Sequence, residues 1–270
     1  MDDRPVPLTA DDAQRLGLWR VSRMGSQALV AHIAAYPRLA WRLGEDWILA
    51  GQWRGRPDII EVLESVGRRG RGPLLDQLIQ VAKECGARAV VAGAAESLRL
   101  AAEYETLGWD VIDHVVYYRF QPAGIDPQPF PGLIRPVIPE DLPTLLAIDQ
   151  AAFGWLWQES ESSLRAYLKY DYRVIELAEF AGRPVGYLAA NSRARAANID
   201  RLAVLPDQQG KGIGRALLTR TLAGFRRRGL MEITLNTQVT NDQSRRLYEG
   251  LGFVPIGEPR PLYGCILVPE

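Results

Sequence analysis

Apolar residues along the chain alternate between two periods. Helical spacing, roughly every three to four residues, appears in Leu74, Leu75, Leu78, Ile79 and Val81, in Leu145, Leu146 and Ile148, and in Ala216, Leu217, Leu222 and Phe225. Further helices are expected within residues 8 to 35, which could form two, and over Leu98 to Tyr104, Glu159 to Tyr170 and Asp242 to Glu249. Short apolar runs between turn residues read as strands: Trp47 to Ala50, Ile59 to Val66, Arg88 to Val91 and Val111 to Phe120 in the first half. The second half offers Leu133 to Val137, Arg173 to Glu179, Pro184 to Ala190, Ala197 to Leu205, Glu232 to Val239, Phe253 to Ile256 and Tyr263 to Val268.

One junction between the two periods carries chemistry. The extended run Ile199 to Leu205 ends at Pro206, and Gln209-Gly210-Lys211-Gly212-Ile213-Gly214-Arg215 leads into the helix containing Ala216. The first N–H groups of a helix have no partner inside it, and the dipole there favours negative charge. Glycine allows close backbone approach, and Lys211 and Arg215 add positive charge, so the turn is suited to phosphate. A Walker loop would need Ser or Thr after the lysine, where Gly212 stands. The dinucleotide fingerprint would need the strand to run straight into the glycines, where Pro206-Asp207-Gln208 intervene. A turn that only caps a helix would show the same glycines.

The pattern occurs twice. Gly67-Arg68-Arg69-Gly70-Arg71-Gly72 also precedes a helix, and Tyr104-x-x-Leu107-Gly108-Trp109 matches Tyr248-x-x-Leu251-Gly252-Phe253. Tyr104 lies 32 residues after Gly72, and Tyr248 lies 34 after Gly214, which indicates an internal duplication. Gln121 to Pro131 holds four prolines and a glycine and reads as a linker. The division expected is residues 1–121, a linker at 122–131, and residues 132–270. In the first copy Gly67 stands where the second has Gln209, and Pro73 follows the loop directly, so a structural role is favoured there over an occupied site.

The run Asn198-Ile-Asp-Arg-Leu-Ala-Val-Leu-Pro206, the turn from Gln209 to Gly214, Asn241 and Leu247-Tyr248-x-x-Leu251-Gly252-Phe253 together resemble the GCN5-related N-acetyltransferase (GNAT) family. The resemblance covers about the last half of the chain. It implies two tandem α/β (α+β) domains, each a mixed, mostly antiparallel sheet flanked by helices, with the second catalytic. It implies acetyl-CoA as cosubstrate and direct acetyl transfer to a primary amine of a small molecule or peptide. Backbone near Leu202, Ala203 and Val204 would hold the thioester arm, Gln209 to Arg215 the pyrophosphate, and Asn241 and Ser244 the arm further along. Asn241 would serve equally well as a helix cap. Tyr248 matches the general acid, for which a phenol suits donation to a thiolate; a core tyrosine is the alternative. Where relatives carry a basic glutamate this chain has Asn198 or Asn236, so Asp200, on the same strand face as Asn198, is the candidate base. Glu159 and Glu161 are weaker candidates for holding a cationic substrate, and Phe153, Trp155 and Trp157 fit a pocket wall or a core. Some tandem relatives synthesise mycothiol. A non-catalytic acyl-CoA-binding or regulatory module and an O-acetyltransferase are the rival readings.

Charge narrows the partners. Lys plus Arg and Asp plus Glu both number 32 in 270 residues, which gives no support for a nucleic-acid partner. Two histidines and two cysteines, Cys85 and Cys265, are scattered without metal-ligand spacing, so no metal is expected. The cysteines are expected to be buried free thiols. No signal-like segment and no apolar run of about 20 residues is present, so a cytoplasmic protein without membrane contact is expected. Sequence leaves the oligomeric state, a homodimer included, open.

Overall fold

The computed structural model describes residues 4–67, 71–93, 98–121, 124–169 and 173–268. The middle of the first glycine turn (Arg68 to Gly70), Pro122 of the linker and Tyr170 lie outside the described residues. The chain divides into two compact units, residues 1–113 with 260–270, and residues 114–259.

In the first unit, β1 (Val6–Pro7), β2 (Ala40–Leu43), β3 (Asp46–Gln52) and β4 (Ile59–Val66) pair antiparallel in turn. β5 (Ala89–Ala92) then pairs with β4 in parallel. Helices α1 (Ala10–Arg15) and α2 (Ser26–Ala35) bury Ala13, Leu29 and Ile33 with Trp47 and Leu49 on one side of this sheet. Helices α3 (Gly72–Glu84) and α4 (Leu98–Thr106) belong to a separate core with Ile48, Ile60, Val90 and Tyr104. Thr9 caps α1 with a reciprocal bond to Asp12, as the polar start of that segment suggests.

The second unit repeats this order. β6 (Asp110–Phe120) enters it at His114, and β7 (Leu133–Pro136), α5 (Leu142–Ala152), α6 (Glu161–Tyr167), β8 (Arg173–Phe180), β9 (Arg183–Arg193) and β10 (Ala196–Val204) follow. Helix α7 (Ile213–Arg227), β11 (Glu232–Gln238), α8 (Asp242–Glu249) and β12 (Val254–Pro255) complete it. Within this unit β7, β8, β9 and β10 are antiparallel neighbours, β10 and β11 are parallel, and β11 pairs antiparallel with β6. Leu145, Ile148, Leu164 and Tyr187 form a core under α5 and α6. Leu217, Leu222, Phe225 and Tyr248 form another with Ile199 and Leu235.

Two expectations are corrected. The last strand, β13 (Arg260–Ile266), pairs with β5 from Tyr263↔Ala92 to Ile266↔Ala89, so the C-terminus belongs to the first unit. Residues 114–120 of β6 belong to the second unit, where they pair with β11. The units are therefore not the contiguous 1–121 and 132–270, because each sheet takes a strand from the other half of the sequence. Cys85 is exposed and Cys265 half-buried, both free, instead of two buried thiols; Cys85 follows the last turn of α3, where the helix meets solvent. Among the described residues, no helix is long and apolar enough to cross a membrane.

Candidate active site

The site in the second unit begins with a change of parity along β10. Ala197 and Ile199 pack in the α7 core, and so do Leu202 and Val204, whereas Ala203 packs under α5. Alternation would have put Ile199 and Leu202 on opposite faces. The register against β9 shifts between Ile199 and Arg201, leaving Asp200 as the extra residue of a bulge. Parallel pairing of β10 with β11 runs from Ala196↔Glu232 to Ile199↔Leu235 and stops there, while both strands continue. Beyond the bulge the edge of β10 that carried the parallel ladder no longer pairs with β11.

That gap leads to the glycine turn. Gly210 and Gly212 have φ of +75° and +80°, a left-handed backbone that disfavours any side chain, and Gly212 is the N-cap of α7. A Cβ built on either would meet open space within 4 Å, so room for a ligand exists beside the turn. A cleft of ≈ 510 Å³ is lined here by Leu202, Gln209, Gly210, Gly212, Ile213, Gly214 and Arg215 from the strand and turn, with Asn241, Gln243, Ser244 and Leu247 opposite. Ala152 and Phe153, at the end of α5, close another side. The Gln209 side chain donates to the Val204 carbonyl (3.1 Å), which ties the turn to the strand end.

Most residues expected to contact a cosubstrate thus meet in one cleft, and three are placed differently. Ala203 is buried under α5, Val204 packs beside the α7 core, and Lys211 is exposed with its ammonium 2.9 Å from Gln208 Oε1. Asn241 has both roles the sequence allowed: it lines the cleft, and its Oδ1 accepts from the Ser244 N–H (3.1 Å) as the cap of α8. Phe153, for which the sequence left pocket wall and core open, lines the cleft, as does Leu247 of the tyrosine motif, while Ala152 and Gln243 of the lining were not singled out by sequence.

Tyr248 is buried, its ring 6.0 Å from that of Tyr118 and 5.9 Å from that of Phe253. Burial pushes its phenol up to about 12, partly offset by a hydrogen bond with Ser244, which itself lines the cleft. Asp200 accepts from Asn191 Nδ2 (2.9 and 2.7 Å) and from Asn198 Nδ2 (2.5 Å). Burial raises its carboxyl above the ordinary value, against the lowering effect of those donors, of Tyr167 and of the Arg173 charge. Asn236 is exposed on β11.

Behind the bulge lies a group that sequence reading missed. Asp149 of α5 is fully buried and takes four hydrogen bonds: from Arg201 Nε (2.7 Å) and Nη2 (2.8 Å), from the Tyr187 hydroxyl (2.6 Å) and from the Glu159 N–H (2.8 Å). Arg201 also donates to the Trp157 carbonyl (2.5 Å), and its guanidinium lies 3.5 Å from the Phe153 ring centre. Burial works against its charge, yet the Asp149 carboxylate holds its pKa above the ordinary value. The pair fastens the bulge to α5 and to the aromatic turn that borders the cleft. Glu159 and Glu161 are engaged locally, with Ser163 and Arg165 respectively.

The first unit shows the same framework with a different filling. β4 and β5 pair in parallel over four residues, Ile59↔Ala89 to Val62↔Ala92, and the register of β4 against β3 then shifts at Leu63. Glu61 therefore occupies the place that Asn198 has on β10, and burial pushes its carboxyl up to about 7. At the start of α3, however, the Glu103 carboxylate accepts from the Arg71 N–H (2.8 Å) and pairs with its guanidinium, while Arg71 Nε donates to Ser65 Oγ (2.9 Å). An internal anion fills the position that the cleft leaves open in the second unit.

Residues 142–253 match the model of the acetyltransferase (GNAT) family. The mycothiol acetyltransferase of Thermobispora bispora is 29% identical over 212 residues, spanning 72% of this chain and 71% of that protein. The ribosomal protein bS18-alanine N-acetyltransferase of Escherichia coli strain K12 is 28% identical over 114 residues, 42% of this chain and 74% of its own. In fold, the chain is similar to a GCN5-related N-acetyltransferase from Sphaerobacter thermophilus, with a TM-score of 0.65 and 17% identity over 100% of this chain and 98% of the other. A tandem GNAT protein from the clavulanic acid biosynthesis pathway gives 0.63 and 15% over 99% of both chains. Residues 142–253 thus match the GNAT acetyltransferases in sequence, and the chain as a whole shares the fold of a tandem GNAT protein.

Proposed function

We propose that the second unit binds acetyl-CoA in the cleft between β10 and β11 and transfers its acetyl group directly to a primary amine of a small molecule or a peptide. The observation that carries this reading is the parting of the parallel strands after Ile199 and Leu235, in a unit whose cleft ends at the left-handed glycine turn of α7. The pyrophosphate rests on the turn from Gln209 to Arg215, where unpaired N–H groups and the helix dipole favour an anion. Backbone N–H groups of Leu202 to Val204 hold the thioester arm beside the bulge. Asn241 and Ser244 contact the arm from α8.

A neutral amine attacks the carbonyl carbon, the N–C bond forms, and the C–S bond breaks. The Asp200 carboxylate takes the proton released from nitrogen, directly or through water; its raised pKa makes it a better base than an exposed aspartate. Tyr248 gives its proton to the departing thiolate, with Ser244 between its hydroxyl and the cleft. A phenol near 12 stays protonated throughout the physiological range. The first unit does not take a second acetyl-CoA, because Glu103 already neutralises the start of α3.

Calorimetric titration with acetyl-CoA, followed by a thiol-release assay over a panel of amines, tests the reading. One site per chain and amine-dependent thiol release are expected. Tight binding without thiol release from any amine would make the unit a binding module instead.

A further inference from the structure

One end of the second unit gathers positive charge away from the cleft. Arg193 ends β9 and Arg195 stands in the turn to β10, while Arg226 and Arg227 end α7 and Arg228 begins its connection to β11. Two bonds hold these stretches side by side. The Met231 N–H donates to the Arg195 carbonyl (2.7 Å), and Arg228 Nη2 donates to Ser192 Oγ (2.8 Å). The parallel ladder of β10 and β11 starts directly beyond them, with Ala196 opposite Glu232. All five arginines are exposed, and Met231 among them is 63% exposed.

Residues 191–196 and 226–232 hold these five arginines and one carboxylate, Glu232, whose Oε2 lies 3.9 Å from Arg119 Nη1. Cations at the end of a helix are favoured by its dipole, which explains Arg226 to Arg228 without any partner. It does not explain Arg193 and Arg195, which stand at a strand turn, where a sheet has only a small net dipole. The chain as a whole carries no net charge, so the gathering is local. A basic surface around an exposed methionine complements an acidic segment that carries an apolar side chain, and arginine and methionine are both enriched at protein interfaces. Nucleic-acid bases stack on aromatic side chains, and these two stretches contain none.

We infer that this surface docks an acidic segment of a partner protein, with an apolar residue of that segment seated on Met231. Helix α7 runs 15 residues from Ile213 to Arg227. At about 1.5 Å per residue, the surface lies about 20 Å along it from the glycine turn. The partner therefore binds without entering the cleft, and the inference stands independently of the transfer reading. Single exposed ion pairs contribute little, so recognition draws on several guanidiniums at once and weakens with salt.

The test uses the full chain and fluorescein-labelled decapeptides: decaglutamate, the same peptide with one central leucine, and decalysine, with a ten-nucleotide oligouridylate as the nucleic-acid probe. Decalysine should not bind. The leucine peptide should bind roughly 3-fold more tightly than decaglutamate, as partial burial of one apolar side chain provides. Its Kd should rise as salt goes from about 0.05 to 0.2 M. Arg195→Glu combined with Arg227→Glu should weaken both glutamate peptides by about 10-fold or more. Met231→Ser should weaken the leucine peptide alone, and Arg183→Glu, at the other end of β9, should change neither. Acetyl-CoA affinity should match wild type in every variant, which also shows that the second unit folds. Absence of binding by both glutamate peptides overturns the inference. So does an equal loss in Arg183→Glu, or equal affinity for the two peptides with no effect of Met231→Ser, since either outcome means unspecific attraction of charge. Tighter binding of the oligouridylate than of either peptide, lost in the double arginine variant, overturns it in favour of nucleic acid.

Discussion

Removing the Asp149 carboxylate tests whether a buried ion pair holds the cleft open. In Asp149→Ala, Arg201 keeps a guanidinium whose side chain is 6% exposed and loses the carboxylate that it pairs with. Breaking one partner of a buried pair typically costs about 3–5 kcal/mol. The Tyr187 hydroxyl and the Glu159 N–H lose the same acceptor, and each buried orphan adds about 1–3 kcal/mol before relaxation. These contributions share one network and do not add fully, so a loss of about 4–6 kcal/mol is expected for the second unit. That is a large part of the roughly 5–15 kcal/mol that stabilises an ordinary domain. Because the chain has two units, hydrogen exchange of α5 and β10 is a better readout than a single melting temperature.

A second variant separates stability from geometry. Replacing both partners, Asp149→Leu with Arg201→Met, removes the charges together, and such swaps are often neutral or stabilising. Protection of α5 should recover, but the bulge and the Phe153 turn lose the bonds that fix them. Thiol release should then stay well below wild type, with acetyl-CoA affinity changed less. If Asp149→Ala loses under about 1 kcal/mol of local protection, the pair is not what secures the bulge, since even the low end of the range exceeds that. If the double variant has wild-type turnover, the pair contributes stability alone.

Gly212→Val places a side chain at a φ of +80° and crowds the turn, so acetyl-CoA affinity should fall steeply in a folded variant; unchanged calorimetric affinity would remove the turn from the mechanism. Tyr248→Phe should lower single-turnover rates by ~10²–10⁴ with little change in acetyl-CoA binding, and wild-type rates would make Tyr248 structural. With its phenol near 12, no basic limb from Tyr248 is expected below about pH 11. Asp200→Asn should abolish the acidic limb of the rate profile, which lies above the ordinary carboxylate range because burial raises the pKa; a persisting limb would point to another base. In the first unit, Glu61 binds its proton more tightly when folded than when unfolded, so stability is highest below about 4.5 and falls as pH rises to about 7. Glu61→Gln should therefore stabilise that unit by up to about 3 kcal/mol at pH 8 and by nothing at pH 4, and a pH-independent difference would refute the burial argument.

The glycine turn, Asn241 and Tyr248 were legible because short-range chemistry writes them: positive-φ glycines before a helix, a cap residue, and a tyrosine followed by Leu-Gly-Phe. Asp149 and Arg201 were not, because Asp149 is a single charge in an apolar pattern, Arg201 stands beside Asp200, and 52 residues separate the pair. A signal existed in hindsight. Asp149 stands four residues after Leu145, on the buried face of α5, and a carboxylate there needs a partner. The bulge was written too, as the shift from Ala197 and Ile199 to Leu202 and Val204 in the apolar alternation, which a reading of β10 as one regular strand passes over. Pairing of β13 with β5 had no local trace, since strand partners are chosen by long-range registry.

The two units share one framework and differ at the start of the helix that follows the glycine turn. Both keep four parallel pairs before a bulge, and both bury a tyrosine on the helix that follows, with phenols near 12 at Tyr104 and at Tyr248. A buried tyrosine therefore does not distinguish an acid from a core residue. What differs is the residue before it. Leu247 leaves the start of α7 open and lines the cleft, whereas Glu103 reaches the start of α3 and pairs with Arg71. A carboxylate supplied by the chain needs no binding entropy, so an exogenous phosphate would have to displace it and leave Glu103 half-buried without Arg71. Glu103→Leu should consequently uncover the Arg71 turn without restoring a site, because Gly67 does not supply the Gln209 side chain that ties turn to strand. A second calorimetric acetyl-CoA site in Glu103→Leu would show that the internal carboxylate alone closes the first unit; no second site would show that the turn itself has lost the geometry.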